Sequence, residues 1–161
     1  MSKRVHGGAC VMVWAGFCFS GKTEIVFREC KGNSTVYTTL LGNHLLPFIR
    51  SLGGGRWIFQ QDGASVHRSV ETVQWLEERQ VEFLKWPALS PDLNPIENLW
   101  GTLTRAVYQN GKKQYNTAEE LRQAIRLCWS QIPIGTLETL ITSMPSRMYQ
   151  VIRGAGAMTK Y

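Results

Sequence analysis

The stretch Trp86-Pro87-Ala88-Leu89-Ser90-Pro91-Asp92-Leu93-Asn94-Pro95-Ile96-Glu97-Asn98-Leu99-Trp100 sets the reading of the whole chain. Pro87 and Pro91 push their predecessors toward extended backbone, so residues 86–93 read as irregular. Asn94 then offers a side-chain acceptor to the first free amides of a helix. Pro95 stands at the first helical position, where a missing N–H is tolerated. A core stripe follows at helical spacing: Ile96, Leu99 with Trp100, Leu103 and Val107. Glu97 is the third helical residue. Asn94-x-x-Glu97 has the form of a capping box, and the helix dipole favours a carboxylate there, so a purely structural Glu97 is one reading. Asp92 between the prolines reads as a turn residue.

Upstream, Trp57-Ile58-Phe59-Gln60-Gln61 reads as a short strand ending at Asp62. In open α/β sheets the carboxyl ends of strands are where sites are built. Gly63 follows, so an Asp-Gly turn is the plain alternative. A helix is expected from Ser69 to Arg79 with Val70, Val73 and Leu76 inward, then a short strand over Val81–Leu84. Gly53-Gly54-Gly55 breaks the chain. Before it, Asn33 or Ser34 caps a helix through Ser51 carrying Leu40, Leu41, Leu45 and Phe48, which Pro47 bends or ends. Residues 11–19, VMVWAGFCF, form an apolar run expected to be a strand buried on both faces. With a turn at Ser20-Gly21 and a second strand over 22–28, they make a hairpin. Downstream, Thr117-x-x-Glu120 is a capping box opening a helix with Leu121, Ile125 and Cys128 inward. Pro133 opens a last helical stretch, kinked or broken at Pro145. Strands first and helices later indicate one α/β or α+β domain over 1–161.

The chain has 161 residues, 43% of them hydrophobic and 19% charged, which excludes a disordered chain. No run of 18 apolar residues occurs, so neither a spanning helix nor a membrane partner is expected. Met1-Ser2-Lys3-Arg4 is not followed by an apolar segment, so no secretory signal is expected. Cys10, Cys18, Cys30 and Cys128 contain no CxxC pair and read as reduced structural thiols of an intracellular protein. The net charge of +6 fits a solvated surface or a polyanion partner such as nucleic acid. Gly16-Phe17-Cys18-Phe19-Ser20-Gly21-Lys22-Thr23 matches a phosphate-binding GxxxxGK[ST] loop. That motif needs a helix after it, and Glu24-Ile25-Val26-Phe27 reads as strand, so nucleotide hydrolysis is a distant alternative.

Asp62 and Glu97 are separated by 34 residues, and the second lies in SPDLNPIE. Together with VMVWAGF, WIFQQDGASVH and SMPSRM at 143–148, this resembles the Tc1/mariner family of DNA transposases over nearly the whole chain. Glu at position 97 resembles the Tc1 branch more than the mariner branch, which uses Asp. The resemblance implies an RNase H-like mixed sheet flanked by helices. It also implies a catalytic domain of the DD34E kind, with Asp62 and Glu97 as the second and third acidic residues, catalytic and metal-binding. The implied cofactor is Mg²⁺ (or Mn²⁺) in a two-metal arrangement, and the implied partner is DNA, as transposon ends and target. A homo-oligomer is left open, and no small-molecule substrate is implied. The implied location is the nucleus. His67 and Arg68, and Lys112 and Lys113 after Gly111, are the candidate DNA contacts, with solvated surface as the plain alternative.

The family's first carboxylate lies on an earlier strand, but no Asp or Glu precedes Glu24 here. The expectation is therefore a partial domain lacking the first strand, without the family's helix-turn-helix region, and inactive alone. A non-catalytic DNA- or protein-binding remnant is the alternative. The first strand of such a sheet runs between the strands expected at 11–19 and 57–61. Without it, these two either leave a cleft or close up and pair directly.

Overall fold

The computed structural model describes residues 11–28, 32–84 and 93–153. The expected hairpin is present. Strand β1 (Met12–Trp14) pairs antiparallel with β4 (Val26–Arg28), and β2 (Phe17–Cys18) pairs with β3 (Gly21–Lys22). The tight loop is Phe19-Ser20, one residue earlier than expected, because Cys18 faces Gly21. Between the two ladders Ala15 and Gly16 oppose Thr23, Glu24 and Ile25, a bulge with one extra residue. Thr23 closes it: its amide donates to the Gly16 carbonyl at 2.8 Å, and its hydroxyl accepts from the Gly16 amide at 2.9 Å.

The pleat sends successive residues to opposite faces. Val13 and Phe27, which face each other, pack on a core of Leu99, Leu103, Val107, Trp129 and Leu137. Trp14 and Val26, the next pair, pack on Tyr37, Leu40, Leu41, Leu45 and Leu76. The hairpin therefore lies between two helical layers. One holds α1 (Ser34–Leu40), a π-helical turn at Leu41–Leu45, α2 (Leu46–Ser51) and α3 (Val70–Glu78). The other holds α4 (Pro95–Tyr108), α5 (Ala118–Ser130) and α6 (Ile134–Thr142), with α7 (Met144–Arg153) after it.

The helix starts follow from local chemistry. Asn33, Ser69 and Thr117 each accept a hydrogen bond from an amide in the first turn of α1, α3 and α5. Pro47 does not end its helix, which runs on to Ser51. The wider π turn just before it accommodates a residue that cannot donate. Pro145 does separate two helices, since α6 ends at Thr142 and α7 begins at Met144.

Three expectations are corrected. The run at 11–19 is interrupted and only partly buried: Met12 and Phe19 are exposed, and among the described residues β1 pairs with β4 alone. In α3, Val70 is exposed, and Thr72 is buried with Leu76. Among the described residues, 57–61 contribute a single parallel bridge, Phe59 to Phe83. There the Phe59 amide donates to the Glu82 carbonyl and the Leu84 amide to the Phe59 carbonyl. The irregular segment at 86–92, with Asp92, lies outside the described residues, as do Cys10 and Cys30. Among the described residues no helix is long and apolar enough to cross a membrane.

A cleft of about 730 Å³ lies between the hairpin and residues 57–62. Consecutive residues line both walls, 12–19 on one side and 57–62 on the other. A sheet face would present every second residue; an edge presents them all. Among the described residues no backbone hydrogen bond joins the two walls, so the strands leave a cleft and do not close up. The GK[ST] segment does not open a helix as a phosphate cradle would: Lys22 ends β3 and β4 follows at Val26–Arg28. The Lys22 ammonium donates to the Ile132 carbonyl just past α5, and the Trp129 indole donates to the Thr23 carbonyl, both at 2.8 Å.

Trp129 thus joins the helical layer to the hairpin by packing and by a buried hydrogen bond. Trp129→Ala is expected to cost about 3–5 kcal/mol, a large part of the ~5–15 kcal/mol stability of a domain. Ile152→Ala, at a side chain 77% exposed, should stay within about 0.5 kcal/mol. Urea unfolding of both variants checks this; equal effects would contradict the placement of Trp129.

Candidate functional site

Asp62 ends the segment that forms one wall of the cleft. Its Oδ1 accepts from the Ala64 amide at 3.0 Å, so the expected Asp-Gly turn is real. The same oxygen lies 2.5 Å from His67 Nδ1. An ionised carboxylate only accepts, so Nδ1 carries the proton of this bond. Turn geometry and a functional carboxylate are therefore compatible at Asp62, and the turn brings His67 back onto it.

Behind Asp62 stands a buried support. Tyr37 of α1 is 1% exposed, and its hydroxyl donates to Gln61 Oε1 at 2.8 Å. Gln61 Nε2 in turn donates to the His67 carbonyl at 3.1 Å. The Tyr37 and His67 rings lie 4.4 Å apart, centre to centre. Burial raises the Tyr37 pKa well above its ordinary value, and the Asp62 charge adds to that shift while the Trp14 indole opposes it. The hydroxyl is therefore a fixed donor.

Glu97 reaches the same cleft from the first turn of α4. The capping-box reading does not hold: among the described residues neither the Asn94 nor the Glu97 side chain makes the capping hydrogen bond. The cleft walls desolvate the Glu97 carboxyl and raise its pKa, and the Asp62 charge raises it further. A tie between the two elements keeps them together, because Gln60 Nε2 donates to the Leu93 carbonyl at 3.2 Å just before α4.

Two carboxylates in one cleft, with the Asp62 charge adding to the raised proton affinity of Glu97, form a hard-oxygen donor pair suited to a divalent cation such as Mg²⁺ or Mn²⁺. Among the described residues no group of three or more His, Cys, Asp or Glu could hold a metal ion. The donors present fit a metal, with two protein ligands.

The other candidates are dispersed. His67 lines the cleft, but its neighbour Arg68 is exposed and does not. Lys112 and Lys113 follow the far end of α4, about 17 Å along the helix from Glu97 at 1.5 Å per residue. Lys113 sits over the Tyr115 ring at 5.5 Å. Sequence reasoning missed Tyr37 and Gln61. Nothing local marks a tyrosine 24 residues before Gln61; only a polar tip on an otherwise apolar helix face hints at a partner.

Residues 4–122 match the family model described as DDE superfamily endonuclease. The chain is 42% identical over 160 residues to the Transposable element Tc3 transposase of Caenorhabditis elegans, covering 99% of this chain and 48% of that protein. It is 38% identical over 158 residues to the Transposable element Tcb1 transposase of Caenorhabditis briggsae, covering 97% and 56%. The chain thus spans about half the length of these relatives. Among solved structures, the catalytic domain of Mos1 mariner transposase superposes with a TM-score of 0.82 at 19% identity, over 93% of this chain and 76% of that one. The Mos1 mariner paired end complex with Mn gives 0.86 at 19% identity, over 99% and 48%. At these identities the structural likeness speaks for the fold, which is RNase H-like.

The raised pKa of Glu97 fixes the sign of one prediction. Glu97 holds its proton more tightly folded than unfolded, so stability falls as pH rises from the unfolded carboxyl value, about 4.3, through the raised folded value. Glu97→Gln carries no charge and escapes that loss. With EDTA present, it should show a higher urea midpoint than the natural chain at pH 7, and the gap should shrink as pH approaches 4. An equal or lower midpoint at pH 7 would contradict crowding of the Glu97 charge by Asp62 and the cleft.

Proposed function

The chain belongs to the DDE superfamily endonucleases, as a Tc1-like transposase catalytic domain. On that premise we propose that Asp62 and Glu97 hold divalent metal for phosphodiester cleavage and strand transfer on DNA. One observation carries this reading: both carboxylates line one cleft, and the charge of Asp62 adds to the raised proton affinity of Glu97. Like charges so placed are tolerated where a cation joins them.

In the proposed mechanism, Asp62 offers the oxygen that His67 and Ala64 leave free, and Glu97 offers its carboxylate from α4. Mg²⁺ or Mn²⁺ held by these two carboxylates would supply positive charge to stabilise the attacking and leaving oxygens of in-line displacement. Glu97 must be ionised to take part, so its raised pKa makes binding fail on acidification sooner than for an ordinary glutamate. The net charge of +6 supports affinity for the phosphate backbone of transposon ends and target, with binding that weakens as salt rises. Arg68, Lys112 and Lys113 are the exposed cations proposed to contribute. With such a DNA substrate, the location we propose is the nucleus.

No Asp or Glu precedes Glu24, so this chain supplies two of the three carboxylates that such a site uses. We accordingly read residues 1–161 as a partial catalytic domain that cuts poorly by itself. The alternative is a binding module without catalysis.

The test is a chimera in which this chain replaces the matching stretch of the Tc3 transposase, assayed for excision of its element. Excision is expected, and Asp62→Asn or Glu97→Gln should each lower it by at least about a hundredfold, the scale of losing transition-state charge stabilisation. An active chimera indifferent to either substitution contradicts the assignment, and an inactive, well-folded chimera favours the binding module. The 161-residue chain alone is expected to nick plasmid DNA near background in Mg²⁺.

A further inference from the structure

The carboxyl of Asp62 is 54% exposed and sits on a turn. An aspartate so placed samples several rotamers unless neighbours hold it. Here one oxygen is held twice, by the Ala64 amide and by His67 Nδ1. Among the described residues the other oxygen takes no hydrogen bond.

We propose that Tyr37, Gln61 and His67 form a positioning array that locks Asp62 in one rotamer and leaves a single carboxylate oxygen for the metal. The proposal rests on the metal-binding role given to Asp62 above. The array runs from the core outward. Tyr37 is anchored in the apolar layer of α1 and α3. Its hydroxyl takes the Gln61 carbonyl oxygen, which orients the Gln61 amide toward the His67 backbone. The Tyr37 ring also flanks the imidazole. With backbone and ring both fixed, and its side chain only 15% exposed, His67 has one direction in which to donate, toward Asp62 Oδ1. None of the three needs to touch a substrate. They act through Asp62, as outer partners of a metal ligand generally do.

The structure separates this role from simple packing. His67→Phe keeps the ring against Tyr37 and removes the donor. Tyr37→Phe keeps the buried volume and removes only the hydroxyl. His67→Asn restores a donor of similar reach.

Two measurements on the full 161-residue chain test the array. In metal-free protein, three-bond NMR couplings report the χ1 rotamer of Asp62. A single rotamer is expected in the natural chain and in His67→Asn, and averaging in His67→Phe and Tyr37→Phe, with urea midpoints unchanged in His67→Phe. A single rotamer retained in both phenylalanine variants overturns the array. Electron paramagnetic resonance of free Mn²⁺ during titration then gives metal affinity. His67→Phe is expected to bind about tenfold more weakly, with recovery in His67→Asn. Averaged rotamers with undiminished Mn²⁺ affinity would overturn the link to the ligand. Binding that survives Asp62→Asn, or no binding by the natural chain, overturns the metal role of Asp62 instead, and the array is then decided by the rotamer alone.

Discussion

A two-stranded hairpin with apolar side chains on both faces has to bury both of them, and this requirement organises the protein. Val13 with Phe27, and Trp14 with Val26, leave the strands in opposite directions. Each pair removes apolar surface from water at roughly 25 cal/mol per Å², so a helical layer is needed on either side. The bulge at Thr23–Ile25, opposite Ala15 and Gly16, separates the two ladders, and Ala15 and Ile25 there enter the α4–α6 core. Lys22 and Trp129 then tie the end of α5 to the hairpin through backbone carbonyls. What resembles a nucleotide-binding loop in letters is the joint between sheet and helices in fact.

The two layers meet along the cleft, and the candidate site follows from that meeting. The wall formed by 57–62 ends in Asp62, and α4 begins with Glu97 in its first turn. The Gln60 hydrogen bond to Leu93 joins the two. Glu97 is not driven there by its own stability, since its carboxyl is less easily ionised in the cleft and near Asp62. Unfavourable charge kept in one place, on a fold otherwise satisfied by packing, is what a functional site looks like in energetic terms.

Much of this was legible in the sequence because it is local. Asn33, Ser69 and Thr117 cap their helices where short polar side chains precede apolar periodicity, and Pro145 parts two helices. The hairpin was visible in its β-branched and aromatic residues, and the DLNPIE segment marked both the start of α4 and Glu97. What was hidden depends on distant partners. Thr72 is buried and Val70 exposed because α3 packs through contacts that spacing alone does not rank. Pro47 sits inside a continuous helix because a π turn absorbs it. Residues 57–61 have the composition of a full strand but, among the described residues, find a partner at Phe59 only. His67 was read as a surface residue or DNA contact. Its ring lies tilted against that of Tyr37, 30 positions earlier, and donates to Asp62, an arrangement that exists only after α1 has docked.

The central claim is that Asp62 and Glu97 share one cation. Anomalous diffraction from crystals of this chain grown with Mn²⁺ tests it most directly. The expected result is a Mn²⁺ peak bonded to carboxylate oxygens of both residues, at about 2.0–2.2 Å as for hard cations of this size, and absent from Asp62→Asn crystals. A Mn²⁺ site elsewhere, or one that keeps its place when Asp62 is replaced, would contradict the claim.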